Sequence, residues 1–154
     1  MLNPIRILLV DDSPYFLEAA CDFLHLQDTL KVAGVATGGQ EALAQARQLE
    51  PDVILLDLNL GTQSGLELIP LFKKPLPAAK IIVLTIMEDE SYRAATMQAG
   101  ADAFVHKTAM SQTLVSAILE LMKPSEPAPT NGSAQAEEAI AQPDDRKTEN
   151  GEQR

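Results

Sequence analysis

The chain has 154 residues, of which 22 are acidic and 12 are basic, so its formal net charge is −10. This length fits one domain of ordinary size, and the lack of any cluster of Lys or Arg argues against direct binding of nucleic acid. The only cysteine, Cys21, excludes an internal disulfide and favours a reducing compartment. The first residues resemble neither a signal peptide nor a membrane span, so we expect a cytoplasmic protein without membrane association.

Short apolar runs alternate with longer segments of helical period up to Lys123. The runs lie at residues 5–10, 31–36, 52–57, 80–85 and 102–107. Each is too short for a buried helix, and three are aliphatic on both faces, as strands of a helix-covered parallel sheet should be. The runs therefore predict five strands.

Helices are predicted after each of these strands. The first begins with Ser13 as its N-cap and Pro14 in its first turn. The others lie at about residues 39–49, 64–72, 89–99 and 110–122, and Gly100 ends the fourth. Right-handed crossovers would then place helices on both faces of one sheet, so the predicted fold class is α/β, a doubly wound five-stranded parallel sheet.

The composition changes abruptly after Lys123. Residues 124–154 contain one large aliphatic residue, Ile140, together with seven acids and three bases. Such a segment cannot bury enough apolar surface to offset the entropy lost on ordering its backbone. We therefore predict a folded domain over residues 1–123 and a disordered acidic tail over residues 124–154.

Charged and hydroxyl residues close four of the predicted strands: Asp11 and Asp12, Asp57, Thr85, and Lys107. In a doubly wound sheet, ligands bind at the carboxyl ends of the strands near the point where strand order reverses. If the first and third strands are neighbours, three carboxylates lie at one rim about 4.8 Å apart. That crowding is unfavourable without a cation, and a set of oxygen ligands suits Mg²⁺ better than zinc.

Asp57 can do more than bind a metal. A carboxylate oxygen attacks phosphorus readily once a metal and a cation offset the charge of the incoming phosphoryl group. Lys107 would be that cation, and the hydroxyl of Thr85 could sense the transferred group. The pattern thus indicates phosphoryl chemistry.

Four motifs together resemble the receiver domain of two-component response regulators over residues 4 to about 122: "LLVDDS", "DVILLDLNLGTQSGLEL", "VLT" and "GADAFVHK". The resemblance implies a flavodoxin-like (βα)₅ fold with strand order 2-1-3-4-5. It also implies that Asp57 accepts a phosphoryl group from a histidine kinase, a phosphotransfer protein or a small acyl phosphate. Beyond this self-phosphorylation and slow self-dephosphorylation, no enzymatic activity is expected.

The resemblance also implies roles for the surrounding residues. Asp12, Asp57 and the backbone carbonyl of Asn59 would bind Mg²⁺ directly, and Asp11 would act mainly through water. Thr85 and Phe104 would form a switch pair in which the hydroxyl moves toward the phosphoryl group and the aromatic ring turns inward.

Three positions depart from the common receiver pattern. Gly61 and Thr108 stand where prolines are frequent. The first change makes the loop after Asp57 more pliable, and the second removes a likely cis-peptide site directly after Lys107. Ile86 stands where a small residue is frequent. We expect slow self-dephosphorylation, because a bulky side chain there should hinder the attacking water.

The last helix has a narrow polar stripe, while apolar residues cover most of its circumference: Leu114, Val115, Ala117, Ile118, Leu119, Leu121 and Met122. A surface helix needs only one apolar face. We therefore expect an exposed patch, so that a downstream protein or a second copy docks through the fourth and fifth β-α units. The alternative is that the tail folds back over this patch.

Three other functions remain to be weighed. The segment "GADAFVHKTAMSQTLVSAILEL" resembles receivers of LuxR-type helix-turn-helix regulators, so this could be the receiver half of a transcriptional regulator that has lost its DNA-binding domain. A haloacid-dehalogenase-like phosphatase would need a second acid where Asn59 stands, and Asn cannot shuttle protons. A scaffold that works without phosphorylation conflicts with the complete acidic set.

Overall fold

The computed structural model describes residues 3–87 and 89–124. Five strands form one parallel sheet: β1 (Ile5–Val10), β2 (Leu30–Ala36), β3 (Val53–Asp57), β4 (Lys80–Thr85) and β5 (Ala103–His106). Their spatial order is β2-β1-β3-β4-β5. This confirms the predicted sheet and its strand order, with strand ends within one residue of those expected.

The five predicted helices are present: α1 (Pro14–His25), α2 (Gly39–Leu49), α3 (Gly65–Lys73), α4 (Glu90–Ala99) and α5 (Met110–Leu121). The side chain of Ser13 accepts a hydrogen bond from the backbone N–H of Phe16, as its N-cap role requires. Gly100 ends α4 with φ of 119°, in the left-handed region that favours glycine.

Strand β3 explains how the two sides of the sheet are filled. Its alternating side chains belong to two separate apolar clusters, with Ile54 and Leu56 on one face and Val53 and Leu55 on the other. Helices α2 and α3 cover the first face, and helices α1 and α5 cover the second. Each fully buried aliphatic side chain contributes roughly 1.5–3 kcal/mol, so this strand is held firmly in the middle of the fold.

A short hairpin that was not predicted follows β3. Residues Asn59–Leu60 pair with Gln63–Ser64 in a two-residue antiparallel ladder. Gly61 turns the chain with φ of 70°. The hairpin brings the chain directly back beside the end of β3, where α3 begins.

The apolar patch predicted on the last helix is much narrower than expected. Leu114 and Ile118 are buried, and four others are half-buried against the core: Val115, Ala117, Leu121 and Met122. Leu119 alone among the predicted set is an exposed large side chain, at 40%. The prediction of a wide patch was therefore wrong, because α5 packs on both β4 and β5 and so buries more than one face.

Two other expectations concern membranes and the tail. No helix within the described ranges is long and apolar enough to cross a bilayer. The predicted disordered tail falls on residues that, from 125 onward, lie outside the described part of the chain.

Candidate functional site

The three predicted acids meet at the carboxyl ends of two neighbouring strands. Val10 of β1 is paired with Leu56 of β3, so the residues that follow them emerge side by side. Carboxylate oxygens of Asp11, Asp12 and Asp57 all lie within 4.8 Å of one another. Asp11 and Asp57 are only 2% and 6% exposed, whereas Asp12 faces solvent. The buried strand thus ends in charge because its tip opens into an acidic pocket.

Lys107 reaches into this pocket from the carboxyl end of β5, which is separated from β3 by β4. It follows β5 directly, as the first residue of a 3₁₀ turn, and its side chain is 15% exposed. Its Nζ lies 2.6 Å from Oδ2 of Asp11 and 3.3 Å from Oδ2 of Asp57. The ammonium donates a hydrogen bond to Asp57, while its contact with Asp11 is an ion pair without hydrogen-bond geometry.

Backbone N–H groups orient the two buried carboxylates. Oδ1 of Asp11 accepts from the N–H of Ser13 at 2.9 Å, and Oδ1 of Asp57 accepts from the N–H of Asn59 at 3.2 Å. In both residues the second oxygen is the one that contacts Lys107. The N–H groups therefore leave one oxygen of each carboxylate directed at the pocket.

The electrostatics of the pocket are dominated by the burial of Asp57. Burial raises the pKa of Asp57 above its ordinary value, and the neighbouring Asp11 adds to the rise. The N–H of Asn59 and the Lys107 ammonium pull the pKa the other way but do not cancel the rise. Three carboxylates beside one ammonium leave an excess of two negative charges when all are ionised, which is a suitable environment for a divalent cation.

Thr85 and Ile86 lie at the tip of the next strand. Asp57 is paired with Leu84, so Thr85 stands one residue beyond it, and its side chain is buried. The Thr85 hydroxyl accepts a hydrogen bond from the N–H of Met87 at 3.0 Å, which leaves its own proton available for a phosphoryl oxygen. Ile86 is 72% exposed.

Phe104 is not part of the acidic pocket. Its half-buried ring lies under the guanidinium of Arg93 on α4, with 5.5 Å from Cζ to the ring centroid. The ring of His106 meets it edge-on at a centroid separation of 5.5 Å. The structure therefore places Phe104 on the α4–β5 surface, and its role as a switch residue stays a prediction.

Gly65 and Gln63 support the site and were not singled out from the sequence. A Cβ on Gly65 would lie 2.3 Å from the carbonyl oxygen of Asp57, so only glycine lets the hairpin return this closely. Oε1 of Gln63 accepts from the N–H of Gly39 at 3.1 Å and ties the hairpin to the start of α2. The glycine after Ser64 was a detectable sign of close approach, but nothing local predicts the contact of Gln63.

Comparison with known proteins identifies the family. Residues 7–119 match the profile of the response regulator receiver domain. The chain belongs to this receiver family. The match confirms the resemblance found in the sequence.

Similar receivers occur in longer proteins, of which the matched segment makes up about half. Transcriptional regulatory protein LnrK of Bacillus subtilis (strain 168) is 32% identical over 115 residues, and response regulator protein VraR of Staphylococcus aureus (strain NCTC 8325 / PS 47) is 35% identical over 116. These alignments cover 75% and 74% of this chain but 52% and 54% of the relatives. The chain thus spans about half the length of the curated relatives it matches.

Solved receivers share the fold. A two-component response regulator of the LuxR family from Aurantimonas sp. SI85-9A1 superposes with a TM-score of 0.73 at 28% identity, over 77% of this chain and 85% of that one. The response regulator domain of Thermotoga maritima CheB gives 0.74 at 27% identity, over 80% and 100%. Both agree with the doubly wound sheet described above.

Proposed function

We propose that this receiver is a phosphorylation-dependent signalling switch in which Asp57 accepts the phosphoryl group in a Mg²⁺-dependent reaction. The observation that carries the proposal is the position of Lys107, whose ammonium contacts both Asp57 and Asp11. The donor would be a phosphohistidine on a histidine kinase or phosphotransfer protein, or a small acyl phosphate. With one cysteine and a receiver of this family, the cytoplasm is the compartment we expect.

The transfer is a displacement at phosphorus. A carboxylate oxygen of Asp57 forms the new O–P bond while the bond from phosphorus to the donor atom breaks. A phosphohistidine donor releases its imidazole, which takes up a proton from solvent, and an acyl phosphate releases a carboxylate. Lys107 would stabilise the negative charge that spreads over the phosphoryl oxygens. Because only the ionised carboxylate attacks, the contacts from Lys107 and the N–H of Asn59 matter: they oppose the rise in the pKa of Asp57 that burial causes.

Mg²⁺ would be held by Asp12, Asp57 and the backbone carbonyl of Asn59, with Asp11 acting through water. The oxygen-only donor set and the 4.8 Å spacing of the three carboxylates fit this ion. When bound, it would supply positive charge that offsets the three acids and the incoming group.

The signal would leave the site through the fourth and fifth β-α units. The added charge would draw the Thr85 hydroxyl toward the phosphoryl group, away from the N–H of Met87. Phe104 would respond on β5, where its ring lies under the guanidinium of Arg93. A downstream protein or a second copy of the chain, rather than nucleic acid, would bind the altered surface.

The experiment that tests this function is incubation with acetyl phosphate and Mg²⁺, followed by intact-mass measurement. The parent protein should gain one phosphoryl unit that hydroxylamine removes, and chelation of the metal should prevent the gain. Asp57→Asn should gain nothing, whereas Asp28→Asn, a change at an exposed acid far from the pocket in sequence, should behave like the parent. Equal labelling of Asp57→Asn would overturn the proposal.

The lifetime of the phosphorylated form tests the role of Ile86. Its exposed side chain stands next to Thr85 at the rim, so Ile86→Ala should open a path for water and shorten the lifetime. Leu71→Ala is the matched control, since Leu71 is also an exposed aliphatic residue (49%) but lies on α3. If both variants keep the parent's lifetime, Ile86 does not shield the phosphoryl group.

A second candidate is a receiver that works within a transcriptional regulator. It is favoured by the similarity to transcriptional regulatory protein LnrK and to a LuxR-family response regulator. DNA binding would then belong to a part of the gene product outside this sequence. The isolated chain should not retard DNA in a gel, whereas the product of the whole gene should do so after phosphorylation.

A further inference from the structure

We propose that Phe16 is a positioning residue that holds the Lys107 ammonium at the acidic pocket through a cation–π contact. The proposal rests on the phosphotransfer function assigned to Asp57. It gives a role to an aromatic side chain on α1 that has no polar group and is not among the acids, the hydroxyl or the lysine of the site.

The contact is seen directly in the structure. Nζ of Lys107 lies 4.1 Å from the centroid of the Phe16 ring, well within the range of about 6 Å over which a ring face attracts a cation. The same nitrogen contacts Asp11 and Asp57 on its other sides. Because the lysine side chain is only 15% exposed, the ammonium has lost much of its water, and the ring face replaces part of it.

A closed chain of contacts fixes the ring relative to the ammonium. Oδ1 of Asp11 accepts from the N–H of Ser13, and the Ser13 hydroxyl oxygen accepts from the N–H of Phe16 at 3.2 Å. Asp11 is also the acid that lies closest to Lys107. The N-cap of α1 therefore sets the distance between the ring and the carboxylate that share one cation.

The Lys107 ammonium is already restrained by its two ion pairs, and the Phe16 ring adds a third contact. The lysine charge sits at the end of a flexible four-carbon stem, and the turn that begins with Lys107 continues through Thr108, where many receivers have a proline. The two acids also attract it unequally, at 2.6 and 3.3 Å. A ring on the remaining side keeps the ammonium within reach of Asp57, where the phosphoryl group would arrive.

Fluorinated phenylalanines at position 16 test the electrostatic part of this contact in the full-length chain. Successive ring fluorination removes the negative face of the ring with little change in its shape. We expect the rate of Asp57 phosphorylation by acetyl phosphate to fall stepwise, by about 2- to 30-fold in total, the range that corresponds to a cation–π contact. Because the contact is already present before phosphorylation, the unfolding midpoint should also fall, by roughly 2–8 °C.

Three comparisons separate this role from ordinary packing. Phe16→Tyr should keep most of the rate, and the same fluorinated series at Phe23, a half-buried ring on the same helix, should leave it unchanged. In a Lys107→Met background, fluorination at position 16 should have no further effect on the residual rate. The proposal would be overturned if the phosphorylation rate did not change across the fluorinated series at position 16, or if it fell equally in the Lys107→Met background.

A second measurement does not depend on phosphorylation. The ring current of Phe16 should shift the ε-methylene protons of Lys107 upfield in the NMR spectrum, and Phe16→Leu should abolish the shift. Failure of the parent to become phosphorylated would refute the switch function and with it the role in transfer. A normal parent rate combined with an unshifted Lys107 would refute only the contact proposed for Phe16.

Discussion

Gly65→Ala should damage the site while leaving the fold intact. The added Cβ would lie 2.3 Å from the carbonyl oxygen of Asp57 and 2.9 Å from Cα of Leu58. Both neighbours are backbone atoms, so no flexible side chain can move aside. To reach an acceptable separation, the hairpin and the end of β3 must move apart by about 0.7 Å, at the cost of about 1–3 kcal/mol that is typical of overpacking.

The same displacement should slow phosphorylation. It moves Asp57 relative to Lys107, which is attached to a different strand, and a misplacement of about 1 Å can cost about 100-fold in rate. We expect a fall of roughly 10- to 100-fold with acetyl phosphate, and a fall in the unfolding midpoint of roughly 4–12 °C. The slower phosphorylation and the lower unfolding midpoint both follow from the displacement of the hairpin away from the end of β3.

The assay pairs thermal unfolding with intact-mass kinetics for the parent, Gly65→Ala and Gly38→Ala. Gly38 is the control because a Cβ there meets nothing within 4 Å. It also serves as the N-cap of α2 without a side-chain hydrogen bond, so only a small loss of stability is expected and no loss of rate. Parent-like stability and rate in Gly65→Ala would show that the hairpin is looser than the structure indicates.

Three further predictions concern charge. Because burial raises the pKa of the Asp57 carboxyl group, the native state binds the carboxyl proton more tightly than the unfolded state does. The free energy of unfolding should therefore fall as pH rises from the ordinary pKa of Asp through the raised one. Denaturant titrations between pH 4 and 8 should show this fall in the parent and not in Asp57→Asn. Mg²⁺ at 100 times its dissociation constant should stabilise the parent by about 2.7 kcal/mol. The same concentration should stabilise Asp12→Asn by clearly less, and thermal unfolding with and without the ion measures both effects. Lys73 donates to the carbonyl of Ala79 and pairs with Asp102 at 2.8 Å, away from the pocket, so Lys73→Met should cost about 1–3 kcal/mol in unfolding free energy and leave the phosphorylation rate unchanged. A slower rate in Lys73→Met would mean that this network also shapes the site.

Much of the fold and the residue types of the site could be predicted from sequence because they depend on local patterns. The run Val53 to Leu56 is aliphatic at every position, which only a strand covered on both faces tolerates, and β3 is such a strand. The acids and Lys107 were recognisable because they directly follow such runs. In a parallel sheet, residues that follow neighbouring strands must meet at one edge.

The orientation of those side chains depends on contacts between distant parts of the chain, which no local pattern encodes. Gln63 and Gly39 are 24 residues apart, and their hydrogen bond appears only when the hairpin meets α2. The burial of Val115 likewise depends on where α5 packs, which periodicity within the helix does not report. The sequence alone thus determined the sheet, the order of its elements and the chemistry at its edge. Only the tertiary structure decided that Lys107 rests between two acids and the ring of Phe16, because that geometry arises when β1, α1, β3 and β5 pack around one pocket.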